Sequence, residues 1–124
     1  MSKVEEVIDL LNNLESKVND IVGSAVIRTN GLIIASALPD KSNERMIAAM
    51  SAALLGTSKR AAEALFEGEF SSLNLEMNKG NMFLISSGRV ILVVITKMEP
   101  NVGLVTLEME DTSKKIAKIF ASEE

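Results

Sequence analysis

Val26-Ile27-Arg28-Thr29-Asn30-Gly31-Leu32-Ile33-Ile34-Ala35-Ser36 decides the fold class. Two β-rich runs, Ser24 to Thr29 and Leu32 to Ala37, flank Asn30-Gly31, a dipeptide whose ease at positive φ suits a type I′ hairpin turn. The runs are dense in branched apolar side chains, which pack well on a pleated surface and lose rotamer freedom in a helix. An antiparallel pair is expected here, and the other elements follow outward from it.

On the N-terminal side, Ser2-Lys3-Val4-Glu5 is a capping-box pattern, after which Val4, Val7, Ile8, Leu11, Leu14 or Glu15, and Val18 recur at helical spacing. The pattern predicts a helix from about Ser2 to Asp20. On the C-terminal side Pro39 and Asp40 end the hairpin, and Ser42 or Asn43 is the expected cap of a second helix that runs to about Phe66 and stops at Gly68. Phe70 to Asn78 then alternates, with Leu73, Leu75 and Met77 on one side and Ser72, Asn74, Glu76 and Asn78 on the other, as a strand does. Lys79-Gly80 is the expected turn into a strand over Asn81 to Ser86, and Ser87-Gly88 the reversal into Arg89 to Lys97. The unbroken run Val90-Ile91-Leu92-Val93-Val94-Ile95 demands burial on both faces, so helices must cover both sides of the sheet. Pro100-Asn101 opens a last helix with Val105, Met109, Thr112, Ile116 and Ile119 or Phe120 along one face. The order is αββαβββα: an α+β fold, one domain over residues 1–124, with a five-stranded, mainly antiparallel sheet between helices and its strand order left open.

The size and the balance of 47% hydrophobic and 24% charged residues suit one globular core. With no Cys, His, Trp or Tyr, the chain has no thiol or imidazole for metal binding, nucleophilic catalysis or a Ser-His relay. Nucleotide-binding glycine loops and Ser-x-x-Lys are also missing, and Glu108, Glu110 and Asp111 fit a solvated helix face better than a cation site. No catalytic residue, metal or cofactor is expected. A net charge of −4 argues against nucleic acid as the main partner. The longest uncharged stretch, Met46 to Ser58, is shorter than the ~20 residues of a membrane span, and the acidic N-terminus is unlike a signal peptide, so a cytoplasmic location is expected.

The second helix carries the functional information. A helix on a solvated sheet shows a charged outer stripe, whereas Met46 to Gly56 is apolar or small on nearly every side. Packing through Ile47, Leu54, Ala61 and Leu65 leaves Met46, Met50, Ala53 and Leu55 wanting cover, either from elsewhere in the chain or from a second copy. The candidate dimer interface is Met46, Met50, Ala53 and Leu54 together with Ser72, Asn74 and Glu76 of the alternating strand, which is either an interior strand or a sheet edge needing a partner. Arg45, Lys59 and Arg60, on an exposed arc of the same helix, are the candidate partner-binding residues.

The order αββαβββα, the hairpin Val26 to Ser36, the Ala/Met-rich second helix and the Asn101-Val102-Gly103-Leu104 start of the last helix together resemble the Roadblock/LC7 family over essentially the whole chain. The family often carries Asp-Gly where this chain has Asn30-Gly31. The resemblance implies a profilin-like architecture and a dimer, with itself or with a paralogue, in which second helices and central strands meet to form a continuous sheet. It also implies a non-enzymatic platform that binds and regulates a small Ras-like GTPase. The alternatives are a scaffold or light-chain subunit without nucleotide dependence, and a small-ligand sensor.

Overall fold

The structure, a computed structural model, describes residues 1–122. Its elements are α1 (Lys3–Lys17), β1 (Ile21–Arg28), β2 (Ile33–Ala37), a 3₁₀ turn (Lys41–Asn43), α2 (Glu44–Phe66), β3 (Ser72–Met77), β4 (Gly80–Ser87), β5 (Val90–Thr96) and α3 (Val102–Phe120). The order is the expected one, and the five strands form a single sheet, β2-β1-β5-β4-β3, in which every pairing is antiparallel. The continuous apolar run is the middle strand, β5, buried on both faces as its composition requires. α1 and α3 cover one face through Val7, Leu11, Leu14, Val105, Met109 and Ile116, packed on Val26, Phe83, Leu92 and Val94. α2 alone covers the other, where Ala48 and Leu55 meet Ile27, Leu84, Ile91 and Val93.

The first hairpin turns differently from the type I′ expectation. Gly31 N–H bonds the Arg28 carbonyl at 3.0 Å, Arg28 N–H bonds the Leu32 carbonyl at 2.8 Å, and of the two turn residues only Gly31 has positive φ, at 89°. This is a three-residue loop, Thr29-Asn30-Gly31, with the left-handed glycine last. Asn30 instead uses its Oδ1 to accept from Leu32 N–H, 3.1 Å away. A Cβ on Gly31 would lie 3.3 Å from the Cβ of Ala52, so the same position lets the hairpin tip approach α2.

Other boundaries shift for local reasons. Ser2 caps α1 as expected, accepting from Glu5 N–H. Asn43 holds the cap position of α2 without a side-chain bond, and the capping falls to Asp40, which accepts from Ser42 N–H at 2.9 Å at the head of the 3₁₀ turn. At the other end of α2 the left-handed residue is Glu67, φ 50°, with Gly68 N–H reaching the Ala62 carbonyl at 3.0 Å, so Gly68 follows the stop instead of making it. The later turns centre on Asn78-Lys79 and Gly88-Arg89, one residue from the expected pairs at Lys79-Gly80 and Ser87-Gly88. Gly80 belongs to β4, where a Cβ would stand 2.3 Å from the Thr96 carbonyl oxygen: close backbone approach, not turning, requires it.

Asp20 ties the two ends of the fold together. Its carboxylate accepts Asn101 N–H at 2.8 Å and pairs with Lys97 Nζ at 3.3 Å, fixing the loop into α3, which Asn101 caps through Leu104 N–H. Among the described residues no helix is long and apolar enough to cross a membrane.

Candidate interaction surface

Three sides of α2 meet three environments. The sheet-facing side is Ala48, Ser51 and Leu55, with Ile47 and Leu54 half-buried beside it. This corrects the expected packing face: Leu55 is buried instead of wanting cover, while Ala61 and Leu65 are exposed instead of packed. The reason is the rotation of the helix about its axis: Ala48, Ser51 and Leu55 share one arc, and it is this arc that faces the sheet, with Ile47 and Leu54 at its margin. The Ser51 hydroxyl is buried there without a hydrogen-bond partner among the described residues.

One flank of α2 is taken by the hairpin, where Ala52 meets Gly31. On a helix of 3.6 residues per turn, Met46, Met50 and Leu54 form a row on the opposite flank. Leu54 packs against the same core cluster as Leu73, Leu75 and Phe70, which places this flank above β3 and β4. Met46 and Met50 continue the row in the open, and Ala53 is exposed beside them.

β3 is an edge strand. Among the described residues it pairs only with β4, from Ser72 beside Ile85 to Met77 beside Gly80, and its outer backbone groups have no strand partner there. Leu73 and Leu75 turn toward the α2 side and are half-buried, while Ser72, Asn74 and Glu76 are exposed on the opposite face, with Asn74 Oδ1 accepting from Asn81 Nδ2 at 3.2 Å. The two groups of candidate residues therefore sit on different faces of the sheet. What joins them is the β3 backbone edge, together with Leu73, Leu75 and Met77, whose side chains share the α2 side and were missed as site residues. Their alternation with polar residues was the available signal.

Arg45, Lys59 and Arg60 are exposed, but they do not converge. Arg45 and Lys59 stand about 21 Å apart along the axis at 1.5 Å per residue, and Arg60 Nη2 is 3.4 Å from Thr57 Oγ1. They can line a broad cationic surface and cannot clamp one phosphate. At the entrance to α2, Glu44 accepts from the Ser36 hydroxyl and pairs with Lys41 at 3.3 Å; the Ser36 bond, more than the lysine, holds its carboxyl below the usual range.

Two of the three acidic residues of α3 make ion pairs, Glu108 with Lys17 at 4.0 Å and Asp111 with Lys115 at 3.2 Å, and no cluster of acidic residues among the described residues could hold a metal ion. The depression between α3 and β3, lined by Ser72, Asn74, Phe83, Ile85, Thr106 and Met109, holds about 60 Å³. Ligand sites for drug-sized molecules run to about 300 Å³ or more, so this depression is too small for one; more open depressions of about 540 Å³ beside Leu10 and Ile119 and about 420 Å³ beside Phe70 and Ser113 lie elsewhere on the surface.

The Roadblock/LC7 domain model matches residues 3–96, and the chain belongs to that family. An uncharacterised protein of Methanocaldococcus jannaschii is 32% identical over 105 residues, 85% of this chain and 92% of that protein. Among solved structures, Myxococcus xanthus MglB superposes with a TM-score of 0.89 at 25% identity, covering 98% of this chain and 92% of that one. An MglB with a tetrameric arrangement superposes at 0.88, with 16% identity and coverage of 96% and 90%.

Proposed function

We propose that this chain is a non-enzymatic, dimeric platform that binds a small Ras-like GTPase and shifts its nucleotide state by ordering its switch loops. The observation that carries the reading is the pair of open methionines, Met46 and Met50, that continue the row from Leu54 beside the unpaired edge of β3. Covering each half-exposed methionine contributes about 1 kcal/mol, and pairing β3 with a second β3 satisfies its outer backbone groups. A second copy, or a paralogue with the same surface, supplies both. Family membership and the likeness to MglB support a regulatory or adaptor role, and the residues present offer a binding surface instead of a catalytic centre. On this reading Arg45, Lys59 and Arg60 face an acidic surface of the partner and steer its approach.

The test is capture from an extract of the source cells, in parallel with GDP and with a non-hydrolysable GTP analogue, followed by turnover measurements on the purified pair. A small GTPase retained in one nucleotide state, with its hydrolysis or exchange rate altered, is the expected result. The same large partner in both states and no GTPase would overturn the reading in favour of a scaffold. Charge reversal at Arg45, Lys59 and Arg60 together is expected to slow association at least about tenfold. Unchanged binding and turnover would remove these three from the surface.

A further inference from the structure

Of the nine asparagines, only Asn30 is followed by glycine, and it stands exposed at the tip of the first hairpin. The tip lies on the flank of α2 away from β3, so the interaction surface described above makes no use of it. An asparagine amide carbon is an electrophile set beside a nucleophile, the nitrogen of the next residue, and ring closure between them is hindered by a side chain on that residue. Gly31 has none, and its backbone reaches torsions closed to other residues.

The native loop both prepares the reaction and holds it back. Asn30 Oδ1 accepts from Leu32 N–H at 3.1 Å, which curls the side chain back over the Gly31 peptide and places a donor on the oxygen where negative charge forms during attack. The nucleophile is restrained: Gly31 N–H donates to the Arg28 carbonyl at 3.0 Å, and Gly31 rests against Ala52 of α2. Attack requires that bond to break, so it waits for the tip to lift, a local opening that exposed loops undergo far more often than the core.

We propose that Asn30-Gly31 is a self-modification site, with water as co-reactant, gated by the seating of the hairpin tip on α2. When the tip lifts, Gly31 N gives its proton to solvent and attacks Asn30 Cγ. The N–Cγ bond forms, the Cγ–Nδ2 bond breaks, and Nδ2 leaves as ammonia. Water then opens the cyclic imide at either carbonyl. Opening at Cγ leaves aspartate in the original backbone; opening at the main-chain carbonyl leaves isoaspartate, with the chain rerouted through the former side chain. One water enters, one ammonia leaves, and nothing is oxidised or reduced.

The two products differ in what they do to the fold. Aspartate keeps an oxygen for Leu32 N–H, and the three-residue loop closes again. Isoaspartate puts an extra carbon into the loop, so the paired hydrogen bonds from Gly31 to Arg28 and from Arg28 to Leu32 do not both re-form, and the tip stays off Ala52. A transient opening becomes a permanent release of one flank of α2. The site goes beyond the binding reading above and does not depend on it.

The test holds the purified chain at mildly alkaline pH below its thermal transition and follows each asparagine by peptide mass spectrometry, with aspartate and isoaspartate products separated. Asn30 is expected to convert at least about tenfold faster than Asn12, Asn13 or Asn78, which are also exposed. Equal rates would overturn the proposal. Asn30→Gln, whose closure needs a larger ring, should stay folded by circular dichroism and lose the conversion at this position; an undiminished rate there would also overturn it. The gate predicts faster conversion in the denatured chain than in the folded one, and an intermediate rate in Ala52→Leu, which crowds the tip. A folded rate equal to the denatured rate would remove the gate, whatever the fate of the Ala52 variant. Limited proteolysis should cut the hairpin of the isoaspartate fraction faster than that of the aspartate fraction, and equal cutting would refute the release.

Discussion

Glu67 ends α2 in a left-handed backbone conformation, φ 50°, that costs an L-residue roughly 1 kcal/mol and glycine little. Its N–H and that of Gly68 satisfy the last carbonyls of the helix, so the conformation is kept for its hydrogen bonds. Glu67→Gly should raise unfolding stability by roughly 0.5–1 kcal/mol, read as a higher thermal midpoint; a lower midpoint would mean that the glutamate side chain contributes more than its backbone strain costs. The sequence placed this stop one residue late because Gly68 is the residue that favours the conformation. A similar substitution of roles occurs at Gly80, which reads as turn chemistry and serves the approach of β4 to the Thr96 carbonyl.

At the scale of elements, carboxylates join segments that the chain keeps apart. Asp20 links the α1–β1 connection to the start of α3, and its pKa is lowered first by the Asn101 N–H and further by Lys97. Asp40, bonded to Ser42, and Glu44, bonded to Ser36, are lowered too. A carboxylate whose folded pKa lies below its unfolded value stabilises the fold above the unfolded value, and loses that contribution as pH falls through the folded one. Glu15 has the opposite sign: burial raises its pKa more than the Ser24 hydroxyl lowers it, so its ionised form weighs against the fold and protonation relieves it. The three lowered groups outnumber the raised one, and stability should fall below about pH 4. Asp20→Asn should flatten that fall, measured as thermal midpoint against pH; an identical slope in both proteins would show that the clamp carries none of it.

For the whole molecule, the two sides of α2 predict opposite outcomes for the same chemical change. Leu55→Lys puts a charge into the buried contact with the sheet and should abolish cooperative folding. Met50→Lys, on the open row, should leave a folded monomer with its thermal transition retained and the dimer lost. Light scattering together with circular dichroism separates the cases. A Met50→Lys protein that keeps a dimeric mass would place the row outside the interface.

Local patterning determined the element order, the hairpin, the middle strand and the core faces of α1 and α3, because periodicity and turn chemistry act within a few residues. It also showed that the second helix carried more apolar surface than one sheet face could cover. Which of those residues are covered was decided only by tertiary structure. Burial depends on how the helix is rotated on the sheet, and the approach of the hairpin tip at Gly31 to Ala52 occupies one side of it without a hydrophobic signal of its own. The position of β3 at the edge depends on strand order, which is a relation between distant segments and leaves no mark in the sequence of either one.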